Sequence, residues 1–344
     1  MINKNSNIYK EDVKSILLQN CDYASLRNKT ILITGATGLI GTILTDMLCF
    51  LNEEFDLQLD LLLISRHKQI SDKKYKHYII HDVNKPLKLK KRIDYIIHAA
   101  SNTHPVQYLK EPINTITANI LGTMNLLELV QQNKGCRFVL ISSVEIYGDD
   151  KDCLLNGFTE TDCGYLDCNT VRAGYNESKR LSETLCQAYT VEKGIDFITA
   201  RICRAYGPTL RNDDSKVMSQ FLRNAVEHKD IILKSEGNQF FSYIYSADAA
   251  SAIIYLMLHG KSGEAYNVAG IDSNIHLKDL AKLIANYVGT KVIFQIPSNK
   301  EKQGYSKSQF AVINTDKIQE LGWKSLFPIE TGCKRTIDFF KDIK

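Results

Sequence analysis

A chain of 344 residues with 44% apolar and 24% charged side chains holds material for a large buried core and has the make-up of a globular enzyme. Its formal charge of +4 is spread along the sequence except at Lys88, Lys90, Lys91 and Arg92, a run too short for a nucleic-acid surface and read as a solvated helix end or turn. Nine cysteines, without CxxC or Cys/His metal spacing, argue against a disulfide framework or a metal centre and for reduced thiols in a cytoplasm. No apolar run reaches the roughly 18 residues of a membrane span, and the opening "MINKNSNIYK" lacks the apolar core of a signal peptide. Nucleic acid and membrane are thereby set aside as partners.

In chain order, residues 1–28 form a polar N-terminal extension with one weakly amphipathic helix, Ile8 to Leu18. From Thr30 short apolar strands alternate with helical segments. "TILITG" reads as a buried strand and Leu39 to Asn52 as a helix. "LDLLLIS", "KHYIIHD", "IDYIIHAAS" and "CRFVLISS" are continuous apolar runs closed by polar residues. Such runs predict a parallel sheet covered on both faces, an α/β doubly wound architecture. Long helices are expected over Ile113–Gln132 and Gly174–Glu192, then a strand at "DFITARIC", a helix at Ala247–His259 and a strand at "EAYNVAG". Residues 29–203 and 241–271 are assigned to this larger domain. Residues 204–240, with Gly207-Pro208, the loop "RNDDSK" and an amphipathic helix from Val217 to Glu227, are assigned with 272–344, which carry a helix at Leu277–Val288, to a smaller lobe. That lobe would sit over the carboxyl edge of the sheet, where open α/β folds bind ligands.

Gly35, Gly38 and Gly41 stand between the strand "ILIT" and the helix "LIGTILTDML". This placement suits a dinucleotide: a tight turn, close approach of backbone to a pyrophosphate, and a helix N-terminus facing the phosphates. Gly35, Thr37, Gly38, Leu39, Ile40 and Gly41 are the expected contacts. Downstream, "SSVEIYG" ends a strand and "YNESK" opens a helix, placing Tyr175 and Lys179 one turn apart on one face. A phenol with a pKa near 10 is a poor base at neutral pH. A neighbouring ammonium would stabilise the phenolate and lower that value.

With TGxxGxxG at Thr34–Gly41, Tyr-x-x-x-Lys at Tyr175–Lys179, and "HDVNKPL", "DYIIHAAS", "PINTITANILGTMNLLEL", "YNESKR" and "DDSK", the chain resembles the extended short-chain dehydrogenase/reductases. These are the NAD-dependent nucleotide-sugar epimerases, dehydratases and decarboxylases. Its motifs are closest to the UDP-glucuronate decarboxylase and 4,6-dehydratase branch. The resemblance implies a Rossmann-type fold with a smaller C-terminal substrate-binding lobe, a nucleotide-sugar substrate, and a homodimer formed through the two long helices, unless those helices are covered within one chain. It also implies that Tyr175 takes a sugar hydroxyl proton as hydride leaves, that Lys179 holds the ribose and tunes Tyr175, and that Ser143 hydrogen-bonds the reacting oxygen. Glu145 would abstract the proton beside a keto group, or else act only as a structural cap. Asp82 and Val83 match the family's adenine-edge pair, and His98, Ala99, Ala100 and Ser101 would line the cofactor.

Several departures stand beside that pattern. Where an acidic residue usually ends the second strand, Ser65 and Arg66 stand instead. A hydroxyl and a guanidinium favour a 2′-phosphate and hence NADP over NAD, unless Arg66 only stacks on adenine. Val144 replaces the acid or hydroxyl of a standard 4,6-dehydratase. Phe241 stands where an arginine usually grips the diphosphate, and Phe310 is nearest the place of a second substrate arginine. Arg204, Arg211 and Lys216 are the candidate substitutes, or are solvated surface charges. Three readings follow: a keto-sugar enzyme that recycles its cofactor, a net NADPH-dependent reductase of a nucleotide-linked keto-sugar, and a dinucleotide sensor without turnover.

Overall fold

The computed structural model describes residues 2–71, 73–103, 110–149, 156–296 and 309–342. Parts of both expected domains (72, 104–109, 150–155, 297–308 and 343–344) lie outside the described residues. β1 (Thr30–Thr34), β2 (Asp60–Ser65), β3 (Lys76–Ile80), β4 (Tyr95–His98), β5 (Arg137–Ser143), β6 (Asp196–Ile202) and β10 (Ala265–Val268) form a seven-stranded sheet in the order β10-β6-β5-β4-β1-β2-β3. Every pairing in it is parallel. The order reverses between β1 and β4, the switch point at which such sheets open a crevice at their carboxyl ends.

The apolar runs are buried as their patterning requires: every residue of "TILIT" in β1 is inside. The exception is β3, an edge strand whose Ile80 is 62% exposed. α2 (Leu39–Glu54) follows the glycine turn, and α3 (Pro112–Gln132) packs on α4 (Ala173–Lys193). α6 (Ser246–His259) is buried on nearly all sides, because it packs against α2, the sheet strand β6 and the N-terminal segment. The Ile8–Leu18 helix is shorter than expected: α1 (Asn7–Lys14) gives way to a 3₁₀ turn at Ser15–Leu18. α1 is tied to α2 by the Tyr9 hydroxyl, which donates to Asp46 at 2.7 Å. It is tied to α9 (Ile329–Lys341) by Arg335, whose Nε donates to Asp12 at 2.8 Å.

The smaller lobe has its own sheet. β7 (Arg204–Tyr206) pairs with β9 (Phe240–Tyr245), which also pairs with β11 (Asn274–His276) and β13 (Phe310–Ala311). Residues 241–245, grouped above with the larger domain, therefore hydrogen-bond into the lobe. The alternation in "FFSYIY" fits either sheet, and the register with Arg204–Tyr206 decides it. β8 (Ile231–Leu233) pairs with β12 (Val292–Phe294), and α5 (Val217–Val226), α7 (Leu277–Val288) and α8 (Asp316–Leu321) complete the lobe. Lys88, Lys90, Lys91 and Arg92 are exposed in a loop. Among the described residues no helix is long and apolar enough to cross a membrane, no metal-binding cluster occurs, and none of the cysteines is in a disulfide.

Candidate active site

A cleft of about 340 Å³ opens at the switch point, lined by the glycine turn, the end of β5, the start of α4 and the lobe. Gly35 has φ +69°, and a Cβ there would lie 2.7 Å from the backbone of Ala99. A Cβ on Gly41 would lie 2.1 Å from the Gly35 carbonyl oxygen. Both positions thus exclude any side chain: the first lets the turn pass under the end of β4, the second lets α2 seat on it. Gly38, the residue before α2, makes no side-chain cap, so the helix's first N–H groups remain for a ligand's phosphates. Leu39, Ile40, Ala99 and Ser101 line the same cleft. Thr37 is exposed in the turn, and Ala100 donates its backbone N–H to Thr34 Oγ1 at 3.1 Å; neither lines the cleft.

The expected adenine-side residues lie at the ends of β2 and just beyond β3, outside the cleft lining. Ser65 is buried and its Oγ accepts from the His67 N–H at 3.3 Å. Arg66 is exposed. Asp82 Oδ1 accepts from the Asn84 N–H at 3.0 Å, and the Val83 carbonyl accepts from Asn125 at 2.8 Å. His98 is wholly interior. Its Nδ1 meets Thr34 Oγ1 at 2.8 Å, and burial with the nearby Lys179 charge lowers its pKa to about 3, so the ring stays neutral.

Tyr175, Lys179, Ser143 and Glu145 all line the cleft. Lys179 donates to the Ile141 carbonyl at 2.7 Å, which fixes its ammonium under β5. Burial lowers its pKa to about 8, against an opposing pull from Glu183. Glu145 is carried by a 3₁₀ turn, Val144–Tyr147, whose cap is Ser143: Ser143 Oγ accepts from the Glu145 N–H at 3.2 Å. α4 grips that turn by its carbonyls. Asn176 donates to Glu145 O at 2.8 Å and Arg180 Nε to Ile146 O at 2.6 Å. The segment "YNESKR" therefore both supplies Tyr175 and Lys179 and holds Glu145 in place. Behind it, Ser142 Oγ donates to Glu183 at 2.5 Å, and Glu183 pairs with Arg201 at 2.8 Å.

On the lobe side the three expected cations separate. Arg204 and Lys216 line the cleft; Arg211 does not, and pairs with Asp213 at 3.0 Å on the exposed loop. Arg211 stays out of the cleft because residues 211–213 are exposed and Arg211 finds its partner two residues on, whereas the chain turns back in at the buried Asp214 and brings Lys216 to the cleft. Arg204 lies 3.3 Å from Glu145 Oε1, with its guanidinium carbon 3.7 Å from the centroid of the Phe241 ring. Lys216 is held down in pKa by burial, with Asp214 and Glu145 opposing. Arg172 and Asn176 also line the cleft and were not singled out from sequence. Their only signal was proximity to Tyr175. Phe310 packs with Phe158 and Phe240, away from the cleft.

Residues 31–269 match the model of the NAD dependent epimerase/dehydratase family. UDP-glucuronic acid decarboxylase 1 of Xenopus tropicalis is 30% identical over 316 residues, 91% of this chain and 72% of that protein. UDP-glucuronic acid decarboxylase 6 of Arabidopsis thaliana is 31% identical over 314 residues, covering 89% and 87%. Among solved structures, the dTDP-glucose 4,6-dehydratase DesIV of Streptomyces venezuelae, with NAD bound, superposes with a TM-score of 0.77 at 21% identity, over 91% of this chain and 97% of that one. The UDP-N-acetylglucosamine 4-epimerase of Methanobrevibacter ruminantium has a TM-score of 0.77 at 17% identity, over 92% and 100%. At these identities the structures speak for the Rossmann-type fold.

Proposed function

The chain belongs to the NAD-dependent epimerase/dehydratase family, and from that premise we propose that it converts a nucleotide-linked sugar through a transient ketone, with its dinucleotide recycled in each turnover. The observation that carries this reading is the meeting of the Gly35–Gly41 turn, the Tyr175–Lys179 helix and the Ser143–Glu145 turn in one cleft. When bound, a nicotinamide dinucleotide supplies a hydride acceptor, and later the donor. Gly35, Gly38, Leu39, Ile40 and Gly41 would hold its phosphates, Ala99 and Ser101 its nicotinamide half, and Lys179 its ribose. Tyr175 accepts the proton of the sugar hydroxyl as the carbon is oxidised, assisted by the Lys179 ammonium. Ser143 hydrogen-bonds the same oxygen. Glu145 moves the proton at the adjacent carbon, which the ketone has made acidic. Arg204 and Lys216 supply positive charge for the substrate's anionic groups.

Ser65 and Arg66 support NADP over NAD: Arg66 is exposed at the carboxyl end of β2, where a 2′-phosphate would reach it. The same pair favours a second reading, a net NADPH-dependent reduction of a nucleotide-linked keto-sugar. One experiment separates them. The purified protein is denatured, and the released dinucleotide is identified and counted by chromatography and mass. Near-stoichiometric NADP or NAD is the expected result. An empty site, with added NADPH preferred to NADH in turnover, would replace the first reading by the second.

A homodimer through α3 and α4 belongs to the same proposal. Ile113, Leu121 and Met124 are 76%, 41% and 37% exposed within one arc of α3, and Leu181 of the neighbouring α4 is 43% exposed. Such an apolar surface suits a second copy of the helix pair. Light scattering after gel filtration is expected to give twice the chain mass, and Leu181→Arg to give a monomer. A monomeric unmodified protein would refute the pairing.

A further inference from the structure

Arg204 occupies a constrained place in the cleft. Its guanidinium lies over the Phe241 ring at 3.7 Å from the centroid, and Nη2 contacts Glu145 Oε1 at 3.3 Å. The strand register explains the arrangement: β7 runs beside β9, with Arg204 opposite Tyr243, two residues from Phe241. The ring limits where the planar cation can go, and the stacking is itself attractive. Nη1, by contrast, is buried and meets no hydrogen-bond partner among the described residues. A buried charged donor left unsatisfied is costly, so such groups nearly always have an acceptor in the working state. The side chain lines the cleft, as does Lys216, whose charge interacts with both Arg204 and Glu145. Lys216 is balanced by the buried Asp214, 4.0 Å away, and Arg204 Nη2 by Glu145, so the donor left without an acceptor at this end of the cleft is Arg204 Nη1.

The geometry points to Arg204 as a bridge that binds an oxyanion of the substrate through Nη1 while holding Glu145 through Nη2, so that substrate recognition and the aim of Glu145 are set by one side chain. The inference rests on the nucleotide-sugar reading above and adds the coupling to it. Phe241 is the platform of the bridge; the cation absent from position 241 arrives from the adjacent strand. Glu145, with Oε1 engaged, presents its other oxygen to the carbon beside the ketone. It takes that carbon's proton while the C–H electron pair passes to the carbonyl oxygen as an enolate, and the reverse step returns a proton from solvent. The oxyanion is either a phosphate oxygen next to the sugar or a carboxylate on the sugar. The chemistry of recognition is the same for both.

The test uses the full-length holoprotein and the variants Arg204→Met, Arg204→Lys and Phe241→Leu. Calorimetry gives the affinity for UDP, UDP-glucose and UDP-glucuronate. Mass spectrometry gives deuterium uptake from D₂O at the carbon beside the oxidised one, in whichever sugar the unmodified protein exchanges. Arg204→Met is expected to weaken binding roughly ten- to a hundredfold, the usual worth of a hydrogen bond to a charged group. It should also slow deuterium uptake about tenfold or more while absorbance at 340 nm still rises on substrate addition. Arg204→Lys should recover binding and not exchange, since an ammonium lacks the planar fork needed to serve both acceptors at once. Phe241→Leu, which leaves all charges in place, should slow exchange and serves if Arg204→Met does not fold. Loss with UDP itself identifies the phosphate, and loss confined to UDP-glucuronate identifies the carboxylate. Unchanged affinity for all three ligands, or weakened binding with unchanged deuterium uptake, overturns the bridge. Failure of the unmodified protein to bind any of them, or the thymidine, guanosine, cytidine and adenosine diphosphate sugars titrated in the same way, overturns instead the reading on which it rests.

Discussion

Tyr175→Phe is expected to lower turnover by a factor of about 10² to 10⁴, the usual contribution of a positioned acid or base, and to leave the bound dinucleotide in place. The substitution removes a single oxygen. Tyr175 is only 6% exposed, so the ring continues to fill its site and α4 continues to hold the turn of Glu145. Product formation followed by mass, beside the count of released dinucleotide, checks both halves of the expectation. Undiminished turnover would remove Tyr175 from the chemistry and with it both enzymatic readings. In the unmodified protein the same site should show an alkaline limb near pH 8 in kcat/KM. Lys179 has its pKa lowered to about 8 by burial. It is an ammonium below that value and neutral above it, and only the ammonium supports a phenolate at Tyr175.

Much of this was legible in the sequence because its signals are local. The glycine spacing at Gly35, Gly38 and Gly41 encodes a backbone clash, visible as the 2.1 Å approach of a Cβ on Gly41 to Gly35 O. The four-residue step from Tyr175 to Lys179 encodes one helical face. Buried parallel strands announce themselves as apolar runs. What sequence did not reveal depends on contacts between distant segments. Nothing local in "FFSYIY" states that it pairs with Arg204–Tyr206 in a second sheet, and so nothing shows that Phe241 lies under Arg204. Arg211 and Arg204 look alike as isolated cations. Only the path of the loop shows that one pairs with Asp213 in solvent and the other with Glu145 in the cleft. Ile80 carries the apolar signature of an inner strand but lies on an edge, because the number of strands beyond β3 is a property of the whole fold.

Arg201→Met is expected to destabilise the protein by about 3–5 kcal/mol, the cost of breaking a buried ion pair from one side. Arg201 and Glu183 have side chains only 12% and 14% exposed. The guanidinium makes two-pronged contact with the carboxylate, and also donates to the Tyr147 hydroxyl at 2.9 Å and to the Glu160 carbonyl at 2.8 Å. Without it Glu183 keeps only Ser142 among these partners, while remaining largely out of water. A denaturant midpoint that falls with an unchanged slope would record this loss. The double variant Arg201→Met/Glu183→Met should recover much of it, because an apolar pair of similar volume avoids both desolvation penalties. A single variant no less stable than the unmodified protein would show that the pair is solvated in solution. Glu183→Gln gives the functional counterpart. Glu183 opposes the burial that lowers Lys179's pKa, so removing its charge should move the alkaline limb of kcat/KM below pH 8. A residue that served packing alone would leave that limb where it was. A shift would show that the ion pair behind β5 helps to set the protonation of Lys179, the residue proposed to tune Tyr175.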